Sequence, residues 1–359
     1  VNGGVVMLPS PASGSVGEIN LEKRFIGIDI TIDADDRTDS LFEPLKSQYA
    51  TSDQTRELIA KGGMWPEFYS SATQGMPMID GSEKPKTLIV NFVLAEPFHA
   101  RGRVVLTRSW DSVIEGIRFL PRLMDDYGKV EVILTAVRDP VAQKMYRELS
   151  GFAWVRLHPV PVRYPVGDPR VLRKALLGNG SIQSKDTLIW SIDAQGIAQL
   201  GDLLSKGVPP THRLVTLGGP GAKDPKHYSV TIGTPLQDLA AASISSEEQV
   251  VLRGGLLRGE ALDIHEASVE SGDDGFFALP KAVDRQSFSF LRPGFDRTSA
   301  FPAFAGSAIR RPDSHITATL RGEERPCISC GMCEKVCPVR IMPQVIHRYL
   351  HRDMPEEAV

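Results

Sequence analysis

The sequence predicts a multidomain protein, α/β in its larger part and α+β in the remainder. Three observations predict it. Buried-type strands alternate with amphipathic helical stretches between residues 86 and 204, the pattern of a parallel, Rossmann-like sheet. A strand, turn, strand, helix, strand succession then follows within about fifty residues from Thr211, which reads as a compact β-grasp module. All four cysteines stand in one eleven-residue window, inside an otherwise helical tail.

The totals bound the class. At 359 residues the chain exceeds one ordinary domain. Its 42% hydrophobic and 24% charged residues are those of a soluble globular protein. A net charge of −3 implies no nucleic-acid partner and no polybasic membrane contact. No apolar run approaches a transmembrane length, so no transmembrane segment of its own is expected, and no secretory leader is visible. The chain opens at Val1 without Met and stops at Val359 in a charged, helix-like stretch. Both ends are expected to be cut.

Residues 1–38 read as short strands and turns. Val5-Val6-Met7-Leu8 leads into Pro9-Ser10-Pro11-Ala12-Ser13-Gly14, and Phe25–Ile32 alternates over its second half. This is one half of a lipoyl-like β-sandwich, a remnant that cannot bury its own face. Residues 39–205 form the Rossmann-like domain. Asp53 opens a helix stopped by Gly62-Gly63. Strands follow at 86–92, 129–134 and 187–192, and helices at 112–127, 140–149 and 194–204. Residues 206–258 are the β-grasp module, with strands at 213–217, 228–232 and 250–252 and a helix at 234–240. Residues 259–315 are expected as an irregular, β-rich segment. Residues 316–359 are expected as a helical ferredoxin-type domain, cut short. Pro343 starts its last helix, and Val345, Ile346, Tyr349 and Leu350 form an apolar stripe.

Cys327, Cys330, Cys333 and Cys337 precede Pro338 in the spacing C-x₂-C-x₂-C-x₃-C-P. That is the bacterial ferredoxin run, which holds iron–sulfur clusters. Short spacers let several thiolates face one hollow. Gly331 relaxes the backbone where it must curl around sulfide, and Pro338 turns the chain away. Disulfides need facing side chains and an oxidising compartment. A zinc site of four thiolates usually parts two C-x₂-C knuckles by many residues, and zinc stays as the alternative. Free thiols fit a reducing cytoplasm. In two-cluster ferredoxins the fourth cysteine of the run serves the other cluster. Cys337 would then bind a second cluster completed by a further cysteine run after residue 359; the other reading is one cluster held by all four.

Other candidates are weaker. Gly218-Gly219-Pro220-Gly221 lies between two strands and opens no helix, so it reads as a hairpin turn, not a phosphate cradle. Glu96 follows a strand carboxyl end, where open α/β sheets bind ligands. It is a candidate to bond a ribose or flavin edge, or a solvated loop carboxylate. Gly62-Gly63-Met64-Trp65 reads as a helix C-cap. His347 and His351 stand four apart on one helix, on a face expected to be solvated. No acid–base catalytic residue can be argued from spacing.

The order of these pieces carries a resemblance. Pro9-Ser10-Pro11-Ala12-Ser13-Gly14, Gly62-Gly63-Met64-Trp65, Leu88-Ile89-Val90-Asn91 with Glu96-Pro97, Tyr164-Pro165, and Gly218-Gly219-Pro220 with Ile232-Gly233-Thr234-Pro235-Leu236 resemble the A subunit of the sodium-translocating NADH:quinone oxidoreductase. They are similar, more distantly, to the C subunit of the Rnf complex and to the flavin-carrying subunit of complex I. The resemblance implies a lipoyl-like motif, a Rossmann-like domain, a β-grasp (SLBB) domain and a helical tail. The Rnf and complex I subunits carry a longer glycine-rich loop for FMN and NADH. The stretch Gly62-Gly63-Met64-Trp65-Pro66-Glu67-Phe68 offers no such cradle, as in A subunits, so FMN is not expected here. The cysteine run is fuller than in well-known A subunits and closer to the Rnf type.

The resemblance implies a peripheral subunit on the cytoplasmic side of a bacterial inner membrane, partnered by other subunits of the complex. Electrons would pass from NADH, used by the complex, through flavins and iron–sulfur centres to quinone as substrate, with sodium export. This chain would serve the quinone end and assembly, with a [4Fe–4S] relay. The alternatives are an Rnf-type subunit binding FMN and NADH, and a docking scaffold whose cluster is structural.

Overall fold

The computed structural model describes residues 7–22, 25–32, 41–93, 96, 98–99, 102–125, 128–134, 139–160, 164–178, 180, 187–241, 243–244, 249–280, 309, 329–337 and 341–358. Its described strands fall into three sheets.

The first is an antiparallel ribbon of β1 (Gly14–Glu22) and β2 (Phe25–Ile32). The register sets Val16 opposite Ile30 and Ile19 opposite Ile28, so branched apolar residues share one face. Val16, Ile19, Ile28 and Ile32 are each more than half exposed. Of the strand expected at 5–8, Met7 and Leu8 are irregular, and residues 5 and 6 lie outside the described residues.

Helix α1 (Ser52–Lys61) begins at a capping box. The Thr51 hydroxyl accepts from the Gln54 N–H at 3.2 Å, and the Gln54 side chain accepts from the Thr51 N–H at 3.0 Å. Its buried Leu58 and Ile59 face the sheet, and Gly62 ends it.

The second sheet contains β3 (Tyr69–Ser70), β4 (Thr87–Asn91), β5 (Lys129–Leu134), β6 (Val155–Pro159) and β7 (Ile189–Asp193), in the spatial order β3-β7-β4-β5-β6. The last four of that order are parallel, and β3 is an antiparallel edge. Every residue of β4 is buried. This is expected of a strand covered on both faces, which reads as a continuous apolar run. Leu88, Val90, Val130 and Val132 face a large core with residues of α1, α2 (Gly102–Arg108), α3 (Trp110–Phe119) and α4 (Pro140–Leu149). Ile89, Ile133 and Ile189 face a smaller one with Leu172 and Leu176 of α5 (Pro169–Gly178).

Helix α6 (Ala194–Lys206) crosses α3 closely. A Cβ at Gly201 would overlap the Ser112 carbonyl, and one at Gly116 the Ile197 carbonyl. The helix predicted over 112–127 is shorter than expected. Regular helix stops at Phe119, and Pro121 sits in a 3₁₀ turn, because proline cannot continue an α-helical ladder.

The third sheet contains β8 (His212–Gly218), β9 (Lys226–Thr231), β10 (Gln249–Arg253), β11 (Glu260–Leu262) and β12 (Gly275–Pro280), with the helix α7 (Leu236–Ala240) after β9. The spatial order is β11-β10-β12-β8-β9. β8 and β9 pair antiparallel across residues 219–225, so the glycines there serve a hairpin. The middle strand is β12, parallel to β8. The sheet thus continues past residue 258 into the stretch expected to be irregular. The run Gly-Phe-Phe-Ala-Leu-Pro has no alternation to announce it, because its first five residues are all buried. Residues 281–315, apart from Ile309, lie outside the described residues.

Near the end, the helices Met332–Val336 and Pro343–Leu350 precede a 3₁₀ turn, Pro355–Ala358. Pro343 opens its helix, as its fixed φ favours. Among the described residues, no helix is long and apolar enough to cross a membrane.

Candidate functional site

The cysteine segment curls as its glycine suggests. Ser329 (φ 53°) and Gly331 (φ 70°) are both left-handed, and Gly331 caps the helix Met332–Val336. Cys330 is exposed, Cys333 and Cys337 are half-buried, and all three are free thiols. The Cys333 thiol donates to Gln344 Oε1 at 3.1 Å, and the Ile341 N–H donates to Cys337 Sγ at 3.3 Å. Gln344 Nε2 donates to Glu334 Oε2 at 2.8 Å. Arg348 reaches back to the Ser329 hydroxyl at 3.0 Å. Free, soft thiols on a curled backbone, one already accepting an N–H, have the donor chemistry an iron–sulfur centre needs. Among the described residues, no three of His, Cys, Asp and Glu gather as a metal-holding group. Cys327 and Pro338 lie outside the described residues. His347 and His351 are exposed, with rings stacked 6.1 Å apart.

Glu96 sits beyond the carboxyl end of β4, at the point where the strand order reverses between β4 and β7. It is buried and turned toward the third sheet. The Leu257 N–H donates to its Oε2 at 3.2 Å, and Arg258 Nε lies 3.4 Å from its Oε1. Beside it, His99 is 8% exposed and stacks on Phe277 of β12 at 5.0 Å. Its Nε2 has no hydrogen-bond partner among the described residues. Burial holds the imidazole below its usual range, against the pull of Glu96 and a backbone bond with Gly254. Asn91 closes another side, donating to the Gly167 carbonyl at 2.9 Å. The carboxylate that the sequence offers to a ribose or flavin here joins two parts of the chain.

The stretch after α1 is filled by side chains. Met64 and Trp65 are fully buried. The Trp65 indole N–H donates to the Pro77 carbonyl at 2.9 Å, and its ring meets Trp190 edge-on at 5.8 Å. Arg56 lies over both indoles. Glu83 accepts from Ser70 at 2.6 Å and from the Trp190 N–H at 2.9 Å.

A further charged cluster lies between the second and third sheets. Arg213 of β8 is 3% exposed. Its guanidinium lies 3.3 Å from Glu67 and 3.2 Å from Asp274, and its Nε donates to the Asp273 carbonyl at 2.9 Å. Gln195 of α6 donates to Asp274 at 2.7 Å and to the Leu214 carbonyl at 2.8 Å. Asp193 caps α6 through the Gly196 N–H at 2.7 Å. Burial works against the charge on Arg213, but Glu67, Asp274 and Asp193 hold its pKa above the usual range. Burial raises Glu67 and Asp193, with Arg213 opposing.

Comparison with known proteins adds what geometry alone does not. Residues 50–209 match the family described as NqrA second alpha/beta domain. The A subunit of the Na(+)-translocating NADH-quinone reductase of Marinomonas sp. (strain MWYL1) is 24% identical over 356 residues, 97% of this chain and 75% of that protein. The chain is similar to this type of A subunit over nearly its whole length. The A subunit of the same reductase from Glaesserella parasuis serovar 5 (strain SH0165) is 25% identical, with 97% of this chain and 75% of that one covered. Both relatives are named as parts of an oxidoreductase complex. Among solved structures, an NAD+-reducing [NiFe]-hydrogenase in the air-oxidized state covers 68% of this chain and 48% of its own. Its identity is 14% and its TM-score 0.49.

Sequence reasoning missed Arg213, His99 and Gln344. Arg213 sits at the start of an apolar strand, where an arginine reads as an edge residue. Nothing in the local sequence says that Asp273 and Asp274 will reach it. Gln344 had one available signal: it follows the proline that opens the helix beside the cysteine run.

Proposed function

We propose that this chain is a peripheral subunit of a membrane-bound, sodium-pumping NADH:quinone oxidoreductase, contributing to quinone-side electron transfer and assembly. The observation that carries this is the alignment of 97% of the chain with an A subunit of that reductase type. In this reading the ribbon β1–β2 is a lipoyl-like remnant, the third sheet is the β-grasp (SLBB) module, and the tail is a ferredoxin-type domain. The site faces the cytoplasm, where thiols stay reduced. Other subunits of the complex, which use NADH and quinone, are the partners. FMN is not part of this chain's equipment, and the burial of Met64 and Trp65 supports that.

Cys327, Cys330, Cys333 and Cys337 would hold a [4Fe–4S] cluster, which supplies one-electron transfer when bound. The residues around them bend the backbone, offer the Ile341 N–H to Cys337 Sγ and bring the last helix against the thiols. Anaerobic purification of the tagged chain from its own membranes tests the whole reading. Expected are co-purifying subunits with sodium-dependent NADH:quinone reductase activity, and iron, sulfide and an EPR signal in the isolated chain. A chain that leaves the membrane alone overturns its membership of the complex. A zinc-loaded or metal-free tail overturns the relay.

A further inference from the structure

We infer that a cavity between the strap 7–13 and the linker 208–211 binds a slender hydrocarbon ligand that ends in a carboxylate, a fatty acid in kind. The site shares no residue with the cysteine run.

Three pieces of chain build the cavity, whose volume is about 370 Å³. The strap leads into β1 and is tied to the end of α1, where the Met7 N–H donates to the Ala60 carbonyl at 3.1 Å. Gly63 (φ 72°) permits this approach, since a Cβ there would lie 2.7 Å from Pro9 Cδ and 2.9 Å from the Met7 carbonyl oxygen. Leu41 and Phe42 form the second wall, and their N–H groups donate to the Gly207 carbonyl at 3.1 and 3.2 Å. The third wall is the linker that runs from α6 to β8.

The walls decide the body of the ligand. Pro9, Pro11, Leu41, Phe42, Val208 and Pro209 give them apolar surface. Half of these are prolines, whose fixed φ holds the walls in place around the space. Preformed, mostly apolar cavities of roughly 300–1,000 Å³ with few polar groups are the usual form of a small-molecule site. This one lies at the lower end of that range, which fits a single chain better than a fused ring system. Leu8 is 78% exposed and Leu41 62% exposed, so apolar surface runs out to the mouth. Such a mouth favours an amphiphile over a polar metabolite.

The polar groups decide its head. The Ser10 hydroxyl donates to the Ala12 carbonyl at 2.6 Å, and the Thr211 hydroxyl pairs with His212 Nδ1 at 2.9 Å. Lys61 is the one charged residue among the described residues that line the cavity, and its side chain is half exposed. Its ammonium holds Glu57 at 2.6 Å in a surface pair of little net strength. An ammonium has three hydrogens, so it can hold a second acceptor beside Glu57. One cation matches one negative charge, a carboxylate rather than a phosphate. A chain bound here touches the strap, the second sheet's domain and the linker to the third sheet at once, so its presence would stiffen the joint between them.

The test is calorimetric titration of the full chain with octanoate, decanoate and decanol, with hydrogen exchange read by mass spectrometry. Affinity is expected to rise about fourfold for each added CH₂ between octanoate and decanoate. Decanoate is expected to slow exchange at the amides of residues 8–13 and 208–211. Lys61→Gln, a change on an exposed side chain, is expected to weaken decanoate by up to about fivefold and to leave decanol unchanged. No binding of decanoate, equal affinities for octanoate and decanoate, or protection confined to other segments overturns the site. Decanol bound as tightly as decanoate, or decanoate unaffected by Lys61→Gln, overturns the carboxylate assignment.

Discussion

The guanidinium of Arg213, on β8, lies 3.3 Å from the carboxylate of Glu67, which stands 146 residues earlier beside the second sheet. The pair is one of several contacts that join the second and third sheets, beside Gln195 to Asp274 and Glu96 to the Leu257 N–H. A buried guanidinium is tolerable only with its partners in place.

Arg213→Met is therefore expected to destabilise the protein by about 3–5 kcal/mol, because it strands buried carboxylates. Arg213→Lys recovers only part of this, since an ammonium cannot match the forked contacts to Glu67, Asp274 and the Asp273 carbonyl. Scanning calorimetry reads both. A wild-type melting profile for Arg213→Met counts against the cluster as a stabilising contact.

The same cluster predicts a pH dependence. Burial raises Glu67 and Asp193 above their usual 4.5 and 3.8, so the folded protein holds these protons more tightly than the unfolded chain. Their contribution is full below the ordinary carboxylate values and fades as pH rises through the raised folded ones. Melting temperature should decline from mildly acid toward neutral pH, and Glu67→Gln should flatten the decline. Equal slopes for the two proteins would contradict this origin.

The crossing of α3 and α6 predicts intolerance at Gly201. Gly201→Val must push the helices apart at the Ser112 carbonyl, at a cost of about 1–3 kcal/mol or more. Loss of soluble, folded material, or a clearly lowered denaturation midpoint, is the expected result. An unchanged midpoint would show that the crossing is looser than described.

For the tail, Cys330→Ser is expected to lower iron and sulfide content in anaerobically purified protein, with the melting profile of the two main sheets unchanged. Full iron content in Cys330→Ser excludes Cys330 as a ligand.

Much of this architecture could be read in advance, and the reasons differ by element. β4 was legible because a parallel strand buried on both faces leaves an unbroken apolar run, Leu88-Ile89-Val90, and β5 and β7 because their apolar runs are broken only by Glu131 and Ser191. α1 was legible from its glycine stop. β6, with a half-buried pattern and a proline at its end, gives little signal. β12 was hidden for the opposite reason: a fully buried run of five residues has no period. The cysteine run was found by its spacing alone, and Cys330, Cys333 and Cys337 are free thiols. Glu96 was found as a residue at a strand end, but its partners Leu257 and Arg258 come from a distant turn that no local pattern predicts.

The parallel pairing of β12 with β8 has a consequence for how the protein is made. A ribosome has delivered β8, β9 and β10 well before it reaches Gly275, yet β10 and β8 meet only through β12. Asp274, one of the carboxylates that neutralise Arg213, arrives in the same late stretch. Until then the nascent chain carries a buried-type arginine that has Glu67 but lacks Asp274 and the Asp273 carbonyl, and two strands with an empty slot between them. Those strands are open to pairing with the wrong neighbour. Slow translation before β12 has left the ribosome would prolong that exposure, whereas slow translation once it has emerged would give the sheet time to close.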